Sequence, residues 1–189
     1  MPRASDVVVL NGPPAVGKTT VGRRLAATAR NGVCVHGDDL KRFVVATEPG
    51  TVAQGLSYRG GAALADVFLD AGYDMVVFEF VFGRRLNVGR FVRALRSHAA
   101  VHLLTLWAPL ETVTARDAGR PAEERMGARV ADSWHELAAN LDDLGAVVDA
   151  GGSVDAVVAE ARRRIAERDS VVISPRRATL LREVRLATT

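Results

Sequence analysis

Cysteine is nearly missing from this chain of 189 residues: Cys34 stands alone. One thiol excludes an internal disulfide and a cysteine-built zinc site. Its apolar neighbours mark it as a small core residue. Lysine is almost as rare, with Lys18 and Lys41 set against 23 arginines. Aromatic residues make up only 5%, and they do not interleave with basic ones in the manner of single-strand nucleic-acid surfaces. The four histidines, His36, His98, His102 and His135, lack metal-ligand spacing. No apolar run reaches the length of a membrane span. The opening MPRASD lacks the apolar stretch of a secretory leader, so a cytoplasmic protein is expected.

The net charge of +3 is unevenly placed. From Arg162 onward there are eight arginines and three acidic residues, a surplus of five. The first 161 residues are therefore about two units negative. The basic balance belongs to the end of the chain and does not describe a nucleic-acid surface. With 48% hydrophobic and 25% charged residues, the composition is that of one folded domain.

The most specific stretch is GPPAVGKTT, Gly12 to Thr20. It fits G-x-x-x-x-G-K-[ST], the phosphate-binding loop. Asp6 to Asn11 reads as a buried strand before it. Val21 to Arg30 reads as a helix after it, with Val21, Leu25 and Thr28 on one face. In such a turn successive N–H groups converge on an anion, and the helix N-terminus adds its unpaired amides. Gly12, Pro13, Pro14, Ala15, Val16, Gly17, Lys18, Thr19 and Thr20 are therefore the candidate nucleotide-binding residues. Lys18 carries charge to the phosphates, and the Thr19 hydroxyl is a candidate Mg²⁺ ligand.

Strand and helix patterns then alternate. Strands are expected at 32–36, 74–80, 101–107 and 145–149. Helices are expected from Asp38 or Asp39, over 52–71 after a break at Pro49–Gly50, and over 87–98. Further helices are expected from Pro109 to Ala118, over 123–144, and from Ser153 as cap to about Arg168. This predicts an α/β fold: a three-layer α/β/α arrangement around a five-stranded, mostly parallel sheet. One domain covers 1–168, followed by a basic tail, 169–189, with strand-like 170–174 and a helical 176–185.

Ligands of such sheets lie beyond the carboxyl ends of the strands. After the second strand stand Asp38 and Asp39, either of which can serve as general base for an attacking hydroxyl. His36 just before them is a weaker candidate for substrate contact. Glu79 lies in the apolar run VVFEFVFGRR; a buried carboxylate there needs a partner, and a metal ion, a polar substrate group or an arginine would each supply one. Arg84 and Arg85 follow. After the fourth strand come Arg116 and Arg120, spaced i, i+4, then Arg125 and Arg129. Gly119 and Pro121 let that segment bend, so 115–130 reads as an arginine-bearing lid that closes over a nucleotide. After the fifth strand, the turn at Gly151 can lie against the base.

GPPAVGKT, GDDL after the second strand, Arg116 with Arg120, and VVDAGG together resemble the small P-loop kinases over roughly residues 6–167. That group includes shikimate and gluconate kinases, adenylylsulfate kinase and chloramphenicol phosphotransferase. The resemblance implies a P-loop NTPase fold, ATP and Mg²⁺ as cofactors, and a small-molecule hydroxyl as acceptor. The gluconate-kinase-like pattern G-D-x-[apolar] registers on Gly37-Asp38-Asp39-Leu40 and points to Asp38. The chloramphenicol-phosphotransferase-like spacing points to Asp39. The implied catalytic set is Lys18, Asp38 or Asp39, and Arg120. Arg116, Arg120 and Gly151 contact the nucleotide; Thr19 and Glu79 serve the metal. No Walker B aspartate stands before a catalytic glutamate, which argues against a mechanochemical ATPase.

The leading expectation is phosphoryl transfer to a small alcohol. Phe43, Phe80 and Phe82 favour a bulky, partly apolar acceptor such as an antibiotic. The competing expectations are a nucleotide or nucleoside kinase and an ATP-binding regulatory module without catalysis. No membrane and no nucleic-acid partner is expected, and the chain is a monomer or homodimer.

Overall fold

The computed structural model describes residues 5–46 and 55–173. Six strands are separated by helices: β1 (Asp6–Asn11), β2 (Gly32–His36), β3 (Met75–Glu79), β4 (Ala100–Trp107), β5 (Ala146–Asp149) and β6 (Val171–Ile173). The helices are α1 (Lys18–Ala26), α2 (Asp39–Arg42), α3 (Leu56–Asp70), α4 (Arg85–Ala94), α5 (Leu110–Ala118), α6 (Ala128–Ala138) and α7 (Val154–Glu167).

The sheet order is β2-β3-β1-β4-β5, all parallel. Val7 to Leu10 of β1 are fully buried because helices cover both faces. Val21, Leu25, Val113, Val130 and Val157 from α1, α5, α6 and α7 pack on one face. Ala62, Ala65, Val88 and Phe91 from α3 and α4 pack on the other. The chain leaves β1 towards β2 and β3 on one side, and later β4 and β5 on the other. The resulting crevice lies at the carboxyl end of β1, where the glycine-rich loop begins.

The five parallel strands and three layers match the sequence reading, as does the Ser153 cap, whose hydroxyl accepts from Ala156 N at 3.3 Å. The strand-like stretch expected at 170–174 forms β6 at Val171–Ile173. Val171–Ile173 adds to β4 as an antiparallel strand, and Leu103 N donates to Ser170 O at 2.9 Å. The expected helix at 176–185, the break at Pro49–Gly50 and the start of the expected 52–71 helix lie outside the described residues.

Three expected helices end early. The 123–144 helix is replaced by a short 3₁₀ turn at Ala122–Glu124, α6, and a second turn at Leu141–Asp143. Gly127, at φ 59 and ψ −131, interrupts the helical path. The 87–98 helix stops at Ala94, because the buried Asp66 carboxylate takes the amides of Arg96 and Ser97 at 2.9 Å each. After Ala26 the chain turns out, so Thr28 is exposed, its hydroxyl donating to Leu25 O.

Candidate functional site: a phosphate loop and four strand ends

Residues 12–17 join β1 to α1 through three left-handed residues, Gly12 (φ 145), Ala15 (φ 60) and Gly17 (φ 104). A Cβ on Gly12 would lie 2.6 Å from Leu106 O, so only glycine fits between the loop and β4. Pro13 and Pro14 carry no N–H and fix the path. The donors available to an anion therefore begin at Ala15 and run into the start of α1.

Lys18 curls under this loop. Its ammonium donates to Gly12 O at 3.0 Å and Pro13 O at 2.9 Å. Burial lowers its pKa from 10.5 to about 8, against the opposing charges of Glu79 and Asp38 and with the help of Arg120. Lys18 thus senses three of the other residues singled out by the sequence. Asp38 is the carboxylate whose charge reaches it; Asp39 pairs instead with Arg42 at 3.0 Å. Asp38 sits before α2 without making a capping hydrogen bond. It is exposed and accepts from Lys41 Nζ at 2.8 Å. Gly37 lets this turn lie on Phe80: a Cβ there would meet the ring at 2.4 Å.

Glu79 ends β3 and is buried. The Thr19 hydroxyl donates to its Oε1 at 3.1 Å, and His36 Nδ1 lies 2.6 Å from the same oxygen. A buried anion facing a hydroxyl at the phosphate loop suits a hard cation. No cluster of three or more His, Cys, Asp or Glu side chains that could hold a metal exists among the described residues. Mg²⁺ does not need one: it keeps waters and takes nucleotide phosphates as ligands, and Thr19 with Glu79 fits that demand.

Arg116 leaves α5 and binds two carbonyls, Val16 O at 3.1 Å and Ala150 O at 3.0 Å. It joins the phosphate loop to the turn after β5. There Gly151 N donates to Asp149 Oδ1 at 2.8 Å. Between these parts lies a cavity of about 220 Å³, bounded by Gly17, Thr20, Arg116, Gly152, Val154 and Val157. Arg120 lies 3.9 Å from buried Asp117. Asp117 also accepts from Met126 N and Gly127 N, at 3.1 and 2.9 Å, and so folds the segment after α5 around itself. Burial disfavours its charge, but those amides, with Arg120 and Arg125, hold its carboxyl below the usual range.

Other expectations are placed elsewhere. Arg84 and Arg85 form surface pairs with Glu136 and Asp143. Arg125 Nε donates to Arg120 O, and Arg129 is exposed. Phe82 is fully buried and therefore core, while Phe43 is 77% exposed. Phe80, on which Gly37 lies, meets Tyr58 with rings edge-on at 5.6 Å and has Lys41 Nζ 4.8 Å from its ring centre. Neither Tyr58 nor Asn11 stands out in the sequence. Buried Asn11 accepts from Phe82 N at 2.8 Å and donates to Phe82 O and Thr105 Oγ1. It pins the loop after β3, hence Phe80, to the root of the phosphate loop.

The family model described as AAA domain matches residues 7–144. The chain belongs to the AAA domain family. No curated protein matches it. Solved structures similar to this AAA domain chain include a sugar kinase from a Janibacter species, 19% identical with a TM-score of 0.61, covering 86% of this chain and 95% of that one. The Deinococcus radiodurans tunicamycin resistance protein is 16% identical with a TM-score of 0.65, over 86% and 96% of the two chains. Shikimate kinase from Aquifex aeolicus is 13% identical with a TM-score of 0.59, over 86% and 97%. The resemblance to small P-loop kinases read from the motifs is thus shown in the fold. Among the described residues no helix is long and apolar enough to cross a membrane.

Proposed function

We propose that this AAA domain chain transfers the γ-phosphoryl group of ATP to a hydroxyl of a small molecule. The observation that carries the reading is a pair of carboxylates at the strand ends beside the loop: Glu79 accepts from Thr19, next to Lys18, and Asp38 follows β2 without a capping hydrogen bond. A binding module needs the loop alone. A carboxylate without a capping role, placed across from the phosphate lysine, is what an attacking hydroxyl requires.

In this reading the loop amides and Lys18 bind the phosphates, and the cavity behind Arg116 takes the base. Thr19 and Glu79 hold the Mg²⁺ that accompanies the nucleotide; the ion supplies neutralisation of phosphate charge. Lys18 releases Gly12 O and Pro13 O to meet the incoming anion. Asp38 accepts the hydroxyl proton of the acceptor, while Arg120 adds positive charge beside the transferred group. Phe80 lies against Gly37, next to Asp38, and packs on Tyr58; this aromatic surface supports an acceptor with an apolar ring or chain.

The test is ADP release with ATP against panels of antibiotics, sugar acids, nucleosides and nucleoside monophosphates. Acceptor-dependent release is expected for an alcohol with an apolar portion, falling at least about 100-fold in Asp38→Asn, within the range general-base catalysis contributes. Turnover confined to monophosphates would assign the chain to nucleotide kinases instead. ATP binding without release for any acceptor would leave a regulatory module.

A further inference from the structure

Glu79 has a second partner besides Thr19. His36, the last residue of the neighbouring strand β2, stands opposite it in the sheet register. Its Nδ1 lies 2.6 Å from Glu79 Oε1, the same oxygen that accepts from Thr19. The other ring nitrogen, Nε2, lies 3.3 Å from Arg23 Nε on α1. Arg23 can only donate. Nε2 must therefore accept, which puts the ring proton on Nδ1 and makes His36 a donor to Glu79. The order is Arg23 to His36 to Glu79, with Thr19 donating from the opposite side. The His36 and Glu79 side chains are 16% and 11% exposed, so this pair sits mostly out of water.

We propose that His36 is a positioning residue that fixes the Glu79 carboxylate for the Thr19 hydroxyl, and through it for the metal carried by the nucleotide. The inference rests on reading Thr19 and Glu79 as the metal end of the site. A glutamate has three side-chain torsions. One hydrogen bond from an exposed threonine leaves the carboxylate free to rotate about its own axis. A second donor on the same oxygen, from a ring held at both nitrogens, fixes the position of that oxygen. Donors that orient a metal-binding carboxylate in this way are typically worth 10–100-fold in metal affinity.

Mn²⁺ is the probe, read by its paramagnetic resonance in the presence of ATP, with wild-type protein and variants of the full chain. Glu79→Gln and Thr19→Val are expected to weaken Mn²⁺ binding, which checks the underlying reading. His36→Ala is expected to weaken it by about 10–100-fold, with ATP affinity in EDTA unchanged. In His36→Asn the amide nitrogen takes the place of Nδ1, and most of the affinity returns. In His36→Gln the side chain is as large but its donor falls elsewhere, and the affinity stays low. If the His36→Asn and His36→Gln proteins bind Mn²⁺ alike, or if His36→Ala binds as wild type while Glu79→Gln does not, His36 only packs and the inference fails. If Glu79→Gln and Thr19→Val also bind as wild type, the metal reading itself is wrong and the inference falls with it.

Discussion

Arg116 binds Val16 O in the phosphate loop and Ala150 O beyond β5 with the two arms of one guanidinium, at 3.1 and 3.0 Å. A residue of α5 thereby ties the phosphate loop to the turn after β5 and borders the cavity between them. Arg116→Ala is expected to weaken ATP binding by about 10-fold and to destabilise the fold by about 1.5–3 kcal/mol, the range for charged hydrogen bonds. Arg116→Lys is expected to restore little of either, since one ammonium cannot span both carbonyls. Calorimetric titration and urea unfolding measure the two effects.

Lys18 gives the free protein a pH signature. Its folded pKa of about 8 lies below its ordinary 10.5, so the unfolded chain binds the additional proton between those values. Stability from this group therefore rises as the pH climbs from 8 to 10.5. ATP affinity runs the other way, because the anion needs the ammonium, and it is expected to fall above about pH 8. Lys18→Met removes both trends; urea midpoints and ATP titrations from about pH 7 to 10 show them.

Asp117 works in the acid range. The Gly127 and Met126 amides keep its carboxyl low despite burial. Its contribution is therefore present above the ordinary aspartate value of 3.8 and is lost as the pH falls through the lower folded value. Asp117→Asn is expected to be less stable at neutral pH and to lose less on acidification. Hydrogen exchange at Met126 and Gly127 is expected to quicken in that variant.

Asn11 is fully buried and makes three hydrogen bonds to Phe82 and Thr105. Asn11→Ala leaves those partners unmet and is expected to cost about 3 kcal/mol in urea unfolding. Asn11→Asp keeps the acceptor for Phe82 N but buries a charge, and is expected to cost at least as much. In both variants acceptor KM should rise more than ATP KM, since Phe82 carries the aromatic surface of Phe80 and Tyr58 and not the loop.

The frame of the molecule is legible in the sequence because its signals are local. Short β-branched runs such as Val7-Val8-Val9-Leu10 read as covered strands, and the loop pattern requires a strand before it and a helix after it. Helix ends are less legible where a distant carboxylate decides them. Asp66 stops α4 from thirty positions away, and Asp117 bends the chain before α6. Neither has a sequence signature, because the amides they bind belong to any residue type. The loop motif, strand ends and spacing single out Lys18, Thr19, Glu79, the pair Asp38 and Asp39, and Arg116 with Arg120. They show His36 only as a neighbour of the acidic pair, since its partner lies 43 positions on, in register on the adjacent strand. Phe82 reads as a pocket wall and is core, because strand alternation does not tell which rings the following loop turns inward.

The short strand β6 has a consequence for every shortened form of this protein. It covers the lower edge of β4 and delivers Ser170 to His102, which in turn meets Asp6 of β1. A chain cut at Arg168 would keep each residue proposed for catalysis, yet it would expose a row of unpaired backbone groups along a central strand. Such an edge is a template for strand addition by another molecule. Residues 169–173 thus close a backbone edge that lies apart from the strand ends carrying the candidate site.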